Sequence, residues 1–162
     1  DKPVLLRPGG TPFEALKKEL STLELHPFVS SECDLSLDKI SSPGMKHKHY
    51  APKAEVLLVE GNIQDVINKI KELSTYYVSK NMAVGILATD ETYSSYVGHV
   101  IKSLGSRFNL SVVARNLFRL LREVDSQGVD VILAESVSTE GLGLAVMNRL
   151  RKASCYRIIK AS

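Results

Sequence analysis

The sequence predicts an α/β fold over residues 55–162: a five-stranded, mainly parallel, Rossmann-like sheet with helices on both faces. Two observations predict it. Short apolar runs of strand length alternate with longer segments whose apolar residues recur at helical spacing. The short runs are apolar at consecutive positions, which is typical of strands buried on both faces of a parallel sheet. A predicted strand and helix, and then a long irregular segment, precede this unit.

The first 54 residues carry weaker signals of regular structure. Residues 4–6 are typical of a strand end, and Thr11, Pro12 and Glu14 predict a capped helix to about residue 23, with Pro12 at its first position. From residue 24 to 54 we expect no regular element, because prolines, glycines and serine pairs interrupt every period. Roughly 30 such residues usually form a linker or a functional loop. We therefore divide the chain into residues 1–24, an interdomain linker at 25–54 and a sheet domain at 55–162.

Five strands and three helices are predicted within the sheet domain. The strands are expected at residues 56–59, 83–88, 100–104, 131–134 and 156–159. The first helix is expected to follow a cap at Asn62, the second to span residues 112–124 and end before Gly128, and the third to span residues 139–153. The side chains predicted to face inward from the first two helices are Ile63, Val66, Ile67, Ile70 and Leu73, and Val113, Leu117, Leu120, Leu121 and Val124.

Composition excludes several classes of protein. The chain has 162 residues with a net charge of +3, 44% hydrophobic and 24% charged residues, which excludes wholesale disorder. The basic excess is too small to predict a nucleic-acid groove. No apolar run is long enough to span a membrane and no signal peptide is recognised, so we expect a cytoplasmic protein. Cys33 and Cys155 lack metal-site spacing, which predicts neither a disulfide scaffold nor a zinc site. Because Asp1 is not Met, we expect a fragment or a processed piece.

Ligands of such a sheet bind beyond the carboxyl ends of its strands. The first turn there, residues 60–64, has a single glycine in place of G-x-G-x-x-G, and no P-loop is present, which excludes a dinucleotide-dependent oxidoreductase. The stretch at residues 89–92, Thr-Asp-Glu-Thr, suits either a metal or proton site or the cap of a helix. Gly141 and Gly143 suit either an anion site at a helix start or close packing of helix on sheet. Asn148, Arg149 and Lys152 are expected on a solvated or interdomain face.

The segment at residues 42–52, SPGMKHKHYAP, concentrates cationic and aromatic side chains between prolines. Its lysines can meet phosphate oxygens, while Tyr50 and the imidazoles can stack on a base or donate hydrogen bonds. Metal binding by His47 and His49 is an alternative, although alternate residues of an extended segment point to opposite sides. An unstructured basic linker is a third interpretation.

This segment resembles the interdomain signature of the two-domain threonylcarbamoyl-adenylate synthases, whose catalytic part is a YrdC-type domain. Three further stretches agree in the family's order. Residues 6–9 resemble the last strand of the catalytic domain, residues 116–130 a helix before the fourth strand of the C-terminal domain, and residues 140–150 a signature near the C-terminus. The resemblance implies that residues 1–24 end the catalytic domain, that residues 25–54 are the linker, and that residues 55–162 are the C-terminal domain.

The resemblance also implies an activity. The family condenses L-threonine, bicarbonate and ATP into threonylcarbamoyl-AMP and pyrophosphate, and the product passes to the machinery that forms threonylcarbamoyladenosine at position 37 of tRNA. ATP is a substrate, and Mg²⁺ is expected with it, bound mainly outside this chain. The partners implied are the chain's own N-terminal catalytic domain and the small-molecule substrates, with no membrane. Tight tRNA binding by this chain is not expected, because its net charge is only +3. The chain alone is expected to be inactive.

Residue roles follow from the same resemblance. Arg7 is expected to contact the nucleotide phosphates. Lys46, Lys48, His49 and especially Tyr50 are expected to close over ATP or the adenylate as a gate, because water must be excluded from intermediates that hydrolyse readily. His47 and Lys48 stand where the family commonly has Tyr and Arg, and a lysine lacks the bidentate fork of arginine. No residue of this chain is expected to be catalytic, and none to bind a metal. The alternative function is a regulatory module that binds a nucleotide or anion in its own sheet cleft, at Gly141 and Gly143.

Overall fold

The structure is a computed structural model that describes residues 2–30 and 52–162. The first of these parts, named here the N-terminal segment, pairs two short parallel strands, β1 (Val4–Leu5) and β2 (Glu24–Leu25). Helix α1 (Phe13–Glu19) connects them, and α2 (Pro27–Ser30) follows β2. The strand at residues 4–6 is therefore confirmed.

The rest of the N-terminal segment differs from the sequence prediction. Pro12 is the residue that precedes α1, not its first residue, and no side chain caps the helix. Helix α1 ends at Glu19 because the chain turns at Leu20 to bring Glu24 beside β1, where Lys2 forms an ion pair with it. Strand β2 and helix α2 lie where no regular element was expected, so that expectation is wrong for residues 24–30. For residues 31–51 the same expectation lies outside the described residues.

Five parallel strands form the main sheet, as predicted. They are β3 (Glu55–Glu60), β4 (Val84–Ala88), β5 (Val100–Ser103), β6 (Val131–Glu135) and β7 (Ile158–Lys160). Their order across the sheet is β5-β4-β6-β3-β7, and every adjacent pair is parallel. Strand β6 separates β3 from β4, whereas the first two strands are neighbours in the dinucleotide-binding order. The strand order agrees with the missing glycine fingerprint.

Three helices cover the two faces of this sheet. Helix α3 (Ile63–Ser79) packs on one face, and α4 (Leu110–Ser126) and α5 (Gly143–Ala153) pack on the other. The side chain of Asn62 caps α3 by accepting from the Asp65 N–H at 3.0 Å, as expected. All five inward positions predicted for α4 are buried, whereas Ile63 on α3 remains 40% exposed. Alternate strand residues supply two apolar cores, one against α3 and one against α4 and α5.

Two elements, α5 and β7, begin later than the sequence predicts, each for a local reason. The chain continues beside β3 after β6 ends, with the Ser136 N–H donating to the Val59 carbonyl, so α5 begins at Gly143 and not at residue 139. Cys155 and Tyr156 have φ values of 51° and 60°, in the left-handed region that an extended strand excludes, so β7 begins only at Ile158. Within residues 2–30 and 52–162, no helix is long and apolar enough to cross a membrane.

Candidate functional site

The carboxyl edge of the main sheet is built around Glu135. This residue ends the central strand β6 and is fully buried. Its Oε2 accepts from the Thr89 N–H at 3.0 Å and from the Thr89 hydroxyl at 3.1 Å, while its Oε1 accepts from the Tyr96 hydroxyl. The Arg107 guanidinium lies 3.4 Å from the same carboxylate. The connections after β4 and β5 are thereby joined to the end of β6 at one group.

The charge of Glu135 is compensated where it lies. Burial, and then the hydrogen bond to Glu135, raise the pKa of Tyr96, so that its hydroxyl stays protonated and donates. Arg107 supplies the balancing positive charge and also donates from Nε to the Thr89 hydroxyl at 3.3 Å. A buried carboxylate with a cation and three hydrogen-bond donors is stable, because its lone pairs are satisfied. Because Glu135 is fully buried, its hydrogen bonds join the loops around it.

Asp90 and Glu91, the acidic residues that suggested a metal or proton site, organise the loop before α4. Asp90 accepts from the Ser103 hydroxyl, and Glu91 accepts from the Ser106 hydroxyl and from the Arg107 N–H, the latter at 3.0 Å. Burial tends to raise the pKa of Glu91, but these hydrogen bonds outweigh it, and the pKa is lowered. No group of three metal-binding side chains occurs among the described residues.

A cleft of about 500 Å³ lies between the start of α4 and the loop that precedes α5. Its walls include Phe108, Leu110, Ser138 and Gly141. Phe108 is 87% exposed and stands at the rim. The cleft lies beyond the carboxyl ends of β5 and β6, where ligands of parallel sheets bind.

Both glycines of the expected anion site already serve the fold. A Cβ at Gly143 would lie 1.7 Å from the Ser138 carbonyl oxygen, and its N–H donates to the Glu140 carbonyl at 2.9 Å. Gly141 has a φ of +56°, and its N–H points at a carboxylate oxygen of Glu14 on α1, at 3.4 Å. Close packing therefore accounts for Gly143, and an anion at Gly141 would have to displace Glu14.

Arg7 follows β1 on the exposed surface of the N-terminal segment. Its positive charge acts on Lys152 of α5, which is half-buried. Burial first, and then the positive charge of Arg7, lower the pKa of Lys152. Within residues 2–30 and 52–162, neither cation has an ion pair. The two uncompensated charges form a place where an anion would be favoured.

A buried ion pair joins the N-terminal segment to the main sheet. Arg151 on α5 is 3% exposed, and its Nε donates to Glu60 at 2.8 Å. Its Nη1 donates to the Val29 carbonyl at 3.1 Å, and Lys160 bonds the second oxygen of Glu60. Burial acts to raise the pKa of Glu60, but the bonds from the two cations hold it below its ordinary value.

Asn148, expected on a solvated or interdomain face of α5, is 2% exposed, so the solvated alternative is wrong for this residue and the interdomain alternative stays a prediction. Arg149 lies over the Phe118 ring of α4. Lys46, Lys48, His49 and Tyr50, and the metal alternative at His47 and His49, lie outside the described residues. The described chain resumes at Pro52, and the Ala54 N–H donates to Asp125 at 2.8 Å.

Sequence reasoning missed the residues that hold these regions together. Tyr96 and Arg107 meet Glu135 across 39 and 28 residues of chain, and no local pattern reports such contacts. The sequence does contain a signal for Arg151. It follows Leu144 by seven positions and so lies on the same side of α5, where a charged residue indicates a buried partner.

Comparison with known proteins agrees with the geometry. The family model described as "Threonylcarbamoyl-AMP synthase, C-terminal domain" matches residues 14–155. Threonylcarbamoyl-AMP synthase of Pyrococcus abyssi is 49% identical over 158 residues, which are 98% of this chain and 44% of that protein. This chain therefore spans less than half the length of the curated relatives it matches.

Two solved structures of Pyrococcus abyssi Sua5 match with a TM-score of 0.82 and 46% identity over 98% of this chain. One, of which this chain covers 44%, is complexed with L-threonine. The other, of which it covers 43%, is a variant with an adjacent histidine and tyrosine both replaced by alanine. The match of sequence and fold over nearly the whole chain leads to one conclusion: this chain belongs to the family of threonylcarbamoyl-AMP synthase C-terminal domains.

Proposed function

We propose that this chain is the C-terminal part of an L-threonylcarbamoyladenylate synthase, a nucleotidyltransferase. The complete enzyme would condense L-threonine, bicarbonate and ATP into threonylcarbamoyl-AMP and pyrophosphate, for tRNA threonylcarbamoyladenosine. The observation that carries the proposal is the family match over residues 14–155, together with the named relative at 49% identity. The chain alone would be inactive, since more than half of the relatives' length lies outside it.

The proposed division of labour places residues 1–24 at the end of the YrdC-type catalytic domain, residues 25–54 in the linker and residues 55–162 in the C-terminal domain. Its support is that the strands of the N-terminal segment pair with each other and not with the main sheet. The five-stranded unit would then be the support on which the catalytic domain and the linker are held. The product would pass from the cytoplasmic enzyme to the tRNA-modifying machinery.

The nucleotide would meet this chain at two places. Arg7 would contact its phosphates, and its support is the uncompensated positive charge of Arg7 beside Lys152. Lys46, Lys48, His49 and Tyr50 would close over ATP or the adenylate and exclude water. The sequence of this chain has one His-Tyr pair, at residues 49–50, and the alanine variant of the Pyrococcus protein replaces such a pair. Mg²⁺ would accompany ATP and be held mainly outside this chain.

The alternative, a regulatory module with an anion at Gly141 and Gly143, has less support. Both amides have protein acceptors, and entry of an anion would break the Glu14 contact. The 500 Å³ cleft beside them gives this alternative its place in the molecule.

The test uses the complete protein and measures pyrophosphate release from ATP that depends on threonine and bicarbonate. Tyr50→Ala is expected to lower the rate by about tenfold or more, because a gate that fails to close admits water. The matched control is Tyr76→Ala, since Tyr76 is 55% exposed on α3, and it should retain the wild-type rate. A protein without this activity would refute the proposed reaction, while full activity of Tyr50→Ala would refute the gate alone.

A further inference from the structure

The contact between Arg151 and Val29 is a buried hydrogen bond. Both residues are buried, at 3% and 0% exposure, and the bond runs from a charged side chain to a backbone carbonyl. A buried Arg–Glu pair stabilises a fold no better than apolar side chains of similar volume. An apolar side chain would not fix the direction of the contact, because it makes no hydrogen bonds. The guanidinium of Arg151 holds the Glu60 carboxylate with Nε and the Val29 carbonyl with Nη1 at once.

From Val29 a short series of backbone hydrogen bonds leads toward Arg7. The Val29 N–H donates to the His26 carbonyl at 2.7 Å, and the His26 N–H donates to the Leu5 carbonyl at 3.1 Å. Leu5 also pairs with Leu25 in the β1–β2 ladder. Arg7 is two residues beyond Leu5, so the position of its backbone is linked to Arg151 through three hydrogen bonds.

The N-terminal segment is contacted near both ends of α5. Before its first turn, the Gly141 N–H meets Glu14 of α1, and near its last turn Arg151 meets Val29 of α2. The residue after Arg151 is Lys152, whose pKa is lowered by burial and then by the positive charge of Arg7. Helix α5 therefore contacts α1, α2 and the surroundings of Arg7, and it brings two cations of different parts of the chain together.

We propose that Arg151 is a positioning residue for the phosphates of the nucleotide: by fixing the N-terminal segment on α5, it holds Arg7 beside Lys152 in the geometry that binds them. This inference rests on the proposed function, in which Arg7 contacts phosphate. It assigns to the C-terminal domain a direct part in nucleotide affinity, separate from closure of the linker. Arg151 itself touches no substrate, and its effect passes through Arg7.

The test is a double-mutant cycle in the complete protein, with KM for ATP and kcat measured by pyrophosphate release. Arg7→Ala is expected to raise KM about tenfold or more, the effect of losing a hydrogen bond to a charged group. Arg151→Lys keeps the charge opposite Glu60 but cannot hold both acceptors, and it should raise KM about three- to tenfold with kcat nearly unchanged. Added to Arg7→Ala, it should have no further effect, because both changes remove the same interaction.

The matched control is Lys160→Met, which removes the other cation at Glu60 from a 67% exposed position without touching Val29. It should leave KM unchanged. If Arg151→Lys fails to fold in thermal unfolding, Glu60→Gln serves as the second variant and should raise KM in the same way. A raised KM for Arg7→Ala without a rise for the Arg151 or Glu60 variant would overturn the inference and leave the proposed function standing. Additive effects would also overturn it. An unchanged KM for Arg7→Ala would overturn the assignment of Arg7 to phosphate, and the inference with it.

Discussion

The five-stranded unit buries two continuous apolar clusters, one on each face of its sheet. The N-terminal segment buries few apolar side chains, among them Leu23 and Val29, and two of its contacts with α5 are polar: Glu14 to Gly141 and Arg151 to Val29. Apolar burial is non-directional, whereas hydrogen bonds fix direction and distance. The five-stranded unit therefore supplies most of the stability, while the placement of the N-terminal segment on it depends on a few hydrogen bonds.

The largest expected effect is a difference between the two regions in how much a leucine-to-alanine substitution lowers the free energy of unfolding. Leu133 is fully buried in the central strand β6, and Leu133→Ala should lower the free energy of unfolding by about 2–5 kcal/mol through lost burial and the cavity left behind. Leu20→Ala is the matched change in the N-terminal segment, where Leu20 is 49% exposed, and it should cost less than about 0.5 kcal/mol. Urea unfolding of the complete protein measures both. Equal losses would contradict the comparison.

A smaller effect concerns the pH dependence of the junction. The pKa of Glu60 is lowered in the folded state below its ordinary value of 4.5, so the unfolded chain binds the proton more readily. The resulting stability is present above pH 4.5 and is lost as the pH falls through the lower, folded pKa. The Glu60→Gln variant lacks this contribution to the free energy of unfolding at every pH.

The measurement is urea unfolding of wild type and Glu60→Gln at a series of pH values. The gap between the two stabilities should narrow from neutral pH to about pH 3. Glu72→Gln serves as the control, since Glu72 is 67% exposed beside Lys69, and its small gap should change little. A constant gap for Glu60→Gln would show that the ion pair at Arg151 does not stabilise the fold.

The sheet unit was predictable from sequence because its signals are local. Five inward positions of α4 follow from helical spacing, and the strands follow from consecutive apolar residues. The two-residue strands β1 and β2 were not predictable as a pair, because their register is set by contacts across twenty residues of chain. The start of α5 was misplaced for a similar reason: after β6 the Ser136 N–H bonds the Val59 carbonyl at the end of β3 before the helix begins.

The candidate site was less predictable than the fold. Sequence reasoning placed the two glycines at a helix start, where they lie, but it did not find the Glu14 carboxylate that meets Gly141. It did not find Arg151 as the connection to Val29, since a backbone acceptor leaves no trace in the residue types. The role of Arg7 stays a prediction. The four remaining site residues, at positions 46 and 48–50, stay predictions that rest on the resemblance.

The central claim is that nucleotide binding involves the N-terminal segment and the linker, which the sheet unit supports, and not the cleft of the unit itself. The most direct test is hydrogen–deuterium exchange of the complete protein with and without ATP and threonine. We expect ATP to slow exchange at residues 5–9 and 42–52, with little change at residues 108–111, 138 and 140–142, which line the cleft. Protection confined to the cleft, with none at residues 5–9 and 42–52, would contradict the account and favour a regulatory site in the sheet domain.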